Sequence, residues 1–107
     1  MKDKRKPASR TMAESADRHR PYEQSVQGVA EEYDFVSGTF RKLRQRQAHS
    51  VREDFCGTAS MCCEWVRRDE NNTATGVDID PEVLAWGRTH NLAALQPNQR
   101  TRVRLIQ

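Results

Sequence analysis

The chain places a small-residue turn and a strand-ending acid at a fixed separation. Asp54-Phe55-Cys56-Gly57-Thr58-Ala59 reads as a turn that leaves a strand and opens a helix. Gly76-Val77-Asp78-Ile79-Asp80-Pro81 reads as the next strand, ending in an acid and handing over to another helix. Asp78 follows Gly57 by 21 positions. That is close to the roughly 20 residues between the glycine turn and the ribose-binding acid of nucleotide-binding βαβ units. Each part has a task in such a unit. The turn lets backbone N–H groups approach a polar ligand, and the acid accepts hydrogen bonds from a ribose.

The rest of the chain fits around this pair. Residues 1–16 read as a polar, basic, disordered tail, and residues 17–27 as a short helix with Pro21 near its first turn. From Glu31 to Arg46, Tyr33, Val36, Phe40 and Leu43 recur at helical spacing, one apolar stripe on a basic helix. A strand fits Ser50–Phe55. Ala59, Cys62, Cys63 and Val66 then fall at i, i+3, i+4 and i+7, so a helix packs that face on the sheet until Asp69-Glu70-Asn71-Asn72 breaks it.

The second strand spans Thr73–Ile79. Asp80 makes an N-cap, Pro81 the first helical position, and Glu82 suits the positive helix end. That helix is expected to reach about Ala94, with Leu84, Leu92 and Leu95 on one face and Gly87 allowing close approach to the sheet. Gln96-Pro97-Asn98 reads as a loop and Arg102–Gln107 as a third strand. The pattern is β-α-β-α-β behind one or two helices. It predicts an α/β, Rossmann-like parallel sheet of about three strands with right-handed crossovers.

Composition narrows the class. A chain of 107 residues, 36% hydrophobic, supports at most one small domain. No apolar run approaches the ~20 residues of a membrane span, and no apolar segment near Met1 reads as a signal peptide. The odd set Cys56, Cys62 and Cys63 argues against a secreted disulfide framework, which leaves the cytoplasm as the expected location. It also lacks a C-x-x-C pair or a histidine at ligand spacing, so no metal site is expected. The formal charge of +3 is partly concentrated in Lys2, Lys4, Arg5, Lys6 and Arg10, which read as a solvated tail or a phosphate-seeking arm for nucleic acid.

Val51-Arg52-Glu53-Asp54-Phe55-Cys56-Gly57-Thr58-Ala59 resembles the first motif of class I S-adenosylmethionine-dependent methyltransferases, acid-x-Gly-x-Gly-x-Gly. Glu53 matches the acid and Gly57 the middle glycine, while Phe55 and Ala59 stand where the outer glycines usually are. Gly76-Val77-Asp78-Ile79-Asp80-Pro81-Glu82-Val83-Leu84 resembles the second motif. The likeness runs from about Asp17 to the end, so residues 17–107 read as a truncated domain, the cofactor half. It implies strand order 3-2-1, with the first strand, central in the whole family domain, left as an open edge that invites self-association.

The resemblance implies S-adenosylmethionine as cofactor, with these roles. Glu53 accepts from the cofactor's amino group or reaches it through water; its bland alternative is a strand-end carboxylate paired with Arg52 or another base. Phe55, Cys56 and Gly57 form the turn, and Phe55 must point away from the cofactor or narrow the pocket. Thr58 and Ala59 open the helix, where N–H groups meet the methionine carboxylate. Asp78 holds the ribose hydroxyls. Ile79 lies on the adenine face or packs in the core. Tyr22 closes over the methionine end or serves as a packing anchor. No histidine sits in a motif that would activate Cys56 as a nucleophile, so no catalytic residue is assigned, and the methyl acceptor is unknown. Two rival functions are a basic nucleic-acid-binding module and a dinucleotide-dependent oxidoreductase. The second expects G-x-G-x-x-G, and this loop offers no second glycine.

Overall fold

The computed structural model describes residues 25–107. The expected tail at 1–16, most of the short helix at 17–27, and Tyr22 lie outside the described residues. Ser25 caps helix α1, Val26–Arg44, its hydroxyl accepting the N–H of Gly28 at 3.0 Å. The helix carries basic Arg41, Lys42 and Arg44 in its last turn, where a helix dipole favours positive charge. It stops at Gln45, whose φ of 58° is left-handed and whose N–H returns to the Arg41 carbonyl. The helix expected at 31–46 therefore begins five residues earlier, because Ser25 caps it, and leaves Arg46 outside.

Strand β1 (Ser50–Asp54), helix α2 (Ser60–Arg68), strand β2 (Thr73–Val77), helix α3 (Pro81–His90), helix α4 (Pro97–Arg100) and strand β3 (Val103–Ile106) follow. The three strands are parallel in the order β1-β2-β3, as expected, and β1 is an edge. Both early strands are shorter than expected: β1 ends where Phe55 turns left-handed, and β2 ends before Asp78. Past α3, a 3₁₀ turn at Leu92–Ala94 replaces the expected helical continuation. Pro97 and Asn98, expected as loop with Gln96, instead open a single helical turn, Pro97–Arg100, through a Gln96–Gln99 capping box with Pro97 first.

Register and alternation put Val51, Ala74 and Val103 on one sheet face, with Glu53, Gly76 and Leu105 one step along it. That face meets the core. Met61, Cys62, Cys63, Trp65 and Val66 of α2 are all buried, as are Ala74, Leu84, Leu95 and Val103. Trp65 is fully covered: Tyr33 of α1 lies 5.1 Å from it, centroid to centroid, and its indole N–H donates to the His49 carbonyl at 2.9 Å. The opposite face is polar, with Ser50, Arg52, Asp54, Thr73 and Arg104 exposed. Two buried polar devices hold the far end. Asn72 donates to the Trp65 carbonyl at 2.8 Å and meets His49 Nδ1 at 2.9 Å, and Arg102 donates to the carbonyls of Val66, Asp69 and Asn72.

Candidate functional site

The carboxyl ends of β1 and β2 build the site. Phe55, Gly57 and Ala59 all have positive φ, at 61°, 60° and 67°. These are the three alternate positions at which the resembled motif carries glycine, and the geometry explains the preference: only glycine takes φ > 0 without steric cost. The N–H of Cys56 extends the ladder to the Val77 carbonyl at 2.9 Å, and the N–H of Ala59 turns back to the Cys56 carbonyl at 3.0 Å.

Two glycines let other elements close on this loop. A Cβ on Gly76 would lie 2.8 Å from Cys56 Sγ, and one on Gly87 would lie 2.5 Å from the Thr58 carbonyl oxygen. Gly87 thus admits α3 to the loop after β1 rather than to the sheet, as the sequence had suggested. Asn91 adds a bond from its amide to the same Thr58 oxygen at 2.8 Å.

Asp78 joins the two strand ends. One carboxylate oxygen accepts the N–H of Gly57 at 2.9 Å, the other that of Asp80 at 3.0 Å. Asp80 in turn caps α3 as expected, accepting from Glu82 at 2.9 Å with Pro81 at the first position.

Beside the loop lies a cleft of about 200 Å³. Its walls are the loop residues Phe55 to Thr58, Ser60 and Met61 at the start of α2, Glu53 from β1 and Glu32 from α1. Burial, and then the charge of Glu32, push the Glu53 carboxyl up to about 7, partly offset by the thiol of Cys62, which donates to it at 3.6 Å. Burial and the nearby carboxylates of Glu53 and Asp78 push Cys56 up to about 12. The buried Cys62 thiol is raised further, again by burial first and Glu53 second. Neither Cys56 nor Cys62 is an ionised nucleophile in this setting.

The fold brings most of the expected residues together. Glu53, Phe55, Cys56, Gly57 and Thr58 line the cleft, and Asp78 touches it through Gly57. Ile79 is 79% exposed, which excludes core packing. Ala59 is the correction: it is fully buried, α2 starts only at Ser60, and its N–H is already bonded to Cys56, so it offers a ligand nothing. Glu53 is not the partner of Arg52, which pairs instead with Asp54 at 2.8 Å. Glu32 is new. The signal for it was available, since it precedes Val36 by four and so flanks the apolar stripe of α1 that faces the core. Among the described residues no cluster is placed to hold a metal ion, and no described helix is long and apolar enough to cross a membrane.

Solved structures share this fold. A plantazolicin methyltransferase, BamL, in complex with a triazolic desmethylPZN analog and SAH, matches 88% of this chain and 32% of its own at a TM-score of 0.64 and 13% identity. The SAM-bound amino pentose methyltransferase CalS10 from Micromonospora echinaspora matches 95% of this chain and 36% of its own, at 0.53 and 22%. The glycopeptide N-methyltransferase MtfA, complexed with sinefungin, matches 73% and 27%, at 0.53 and 22%. The fold matches part of the fold of these S-adenosylmethionine-dependent methyltransferases. This chain spans about a third of the length of those methyltransferases. No family model and no curated protein matches it.

Proposed function

We propose that the chain binds S-adenosylmethionine at the carboxyl ends of β1 and β2 and supplies the cofactor half of a methyltransferase. The observation that carries this reading is the convergence of Glu53, the left-handed loop and Asp78 on one cleft edge. The donor set suits the cofactor. Each oxygen of the Asp78 carboxylate accepts one backbone N–H and keeps a second lone pair, enough for the two hydroxyls of a ribose. Glu53 offers a carboxylate to an ammonium group. Ser60 and Met61 belong to the first turn of α2, whose N–H groups have no intrahelical partner and suit a carboxylate.

The cleft is smaller than the ~300–1,000 Å³ of sites for drug-sized ligands, so it takes one end of the molecule, the methionine part. The remainder lies over Asp78 and the exposed Ile79 at the open strand ends. When bound, the cofactor supplies a methyl group already activated on a sulfonium. The task left to the chain is to hold and orient it. The dinucleotide alternative lacks the glycines it needs, and the nucleic-acid alternative rests on the basic residues 2–10, outside the described residues.

Amide shifts in a ¹⁵N-labelled sample titrated with S-adenosylhomocysteine test the site. The reading expects shifts concentrated at Gly57, Thr58, Ser60, Asp78 and Ile79. Shifts confined to α1's basic end, or none, would remove it.

A further inference from the structure

Phe55 is the feature of the cleft that the fold alone does not require. It is 84% exposed, so it contributes nothing to the core, and it occupies a left-handed conformation that a glycine adopts more easily. Yet Phe55 is one of the residues that line the cleft, with Glu32 and Glu53, and no lysine, arginine or histidine shares that lining. Two carboxylates and an aromatic face, with no base among them, select for positive charge, because the ring's π face attracts cations as the carboxylates do.

We infer that Phe55 is a specificity-determining residue of this site, favouring the sulfonium of S-adenosylmethionine over the neutral thioether of S-adenosylhomocysteine. This rests on the cofactor reading above. It gives Phe55 a task opposite to the one its bulk suggests: the ring reads charge rather than obstructing the pocket. The charge of Glu32 already reaches Glu53, and a cation beside the pair favours the charged form of Glu53, which reinforces the choice.

Dissociation constants of both ligands, measured on the whole chain by equilibrium dialysis, test it. The wild type binds S-adenosylmethionine more tightly. Phe55→Leu, which keeps apolar bulk but loses the π face, weakens S-adenosylmethionine about two- to fivefold and leaves S-adenosylhomocysteine unchanged. Phe55→Tyr retains the preference. Circular dichroism confirms that each variant is folded. Equal weakening of both ligands, or an unchanged ratio in Phe55→Leu, overturns the inference while the cofactor reading stands. If the folded wild type binds neither ligand, the cofactor reading falls and this inference with it.

Discussion

The Asp78 carboxylate accepts the N–H of Gly57 at 2.9 Å, tying the end of β2 to the turn after β1. The residue expected to hold a ribose is therefore also a brace for the loop. Asp78→Ala removes an ionised acceptor from two backbone donors and is expected to cost about 1–3 kcal/mol in chemical denaturation. Asp78→Asn keeps one amide oxygen and costs less, which makes it the better variant for binding studies. Equal stability of wild type and Asp78→Ala would contradict the brace.

The alternate left-handed residues yield a stability series. Gly57→Ala puts a Cβ at φ 60° and is expected to cost about 1 kcal/mol. Phe55→Gly relieves the same strain, partly offset by glycine's chain entropy, so it gains up to about 1 kcal/mol. Phe55→Ala keeps the Cβ and gains nothing. Denaturant midpoints should rise from Gly57→Ala, below the wild type, through Phe55→Ala to Phe55→Gly, the only variant of the three to exceed the wild type.

Gly87 makes a sharper test of packing. On an exposed helix face, Gly→Ala raises helix stability by up to about 1 kcal/mol. Here the added carbon would sit 2.5 Å from the Thr58 oxygen, so Gly87→Ala is expected to destabilise by about 1–3 kcal/mol. A rise in the thermal midpoint would show that α3 does not press on the loop.

Glu53 makes stability depend on pH. Its folded carboxyl titrates near 7 against an ordinary 4.5, so between these values the folded state holds more protons than the unfolded. Stability from this group is full below about 4.5 and lost as the pH rises through about 7. Urea denaturation across that window should show the slope in the wild type and its flattening in Glu53→Gln. An identical slope in both would assign the effect elsewhere.

The sequence carried the architecture and most of the site because both rest on local signals. Turn residues, the Asp80-Pro81 cap and the 21-residue spacing each act within a few positions or across one βαβ unit. The misses came from less local causes. Ala59 has the apolar spacing of a helix residue, but its left-handed φ and full burial follow from how the loop closes under α3. Glu32 and Glu53 meet only because α1 packs against α2, a tertiary fact. Gln96-Pro97-Asn98 reads as loop until Gln99 completes a capping box.

The edge strand has its own safeguard. Among the described residues β1 pairs with β2 alone, and the exposed Arg52 and Asp54 place two charges along its five residues. Such charges discourage edge-to-edge pairing. The double variant Arg52→Val/Asp54→Val is expected to self-associate, seen as a larger species by light scattering at concentrations where the wild type gives none.

Calorimetric titration of the purified chain with S-adenosylhomocysteine, beside Asp78→Asn, tests the central claim most directly. The account predicts saturable one-site binding by the wild type, weakened at least tenfold in the variant as a charged hydrogen-bond partner of the ribose is lost. A folded wild type that takes up no ligand, or a variant that binds equally well, would contradict it.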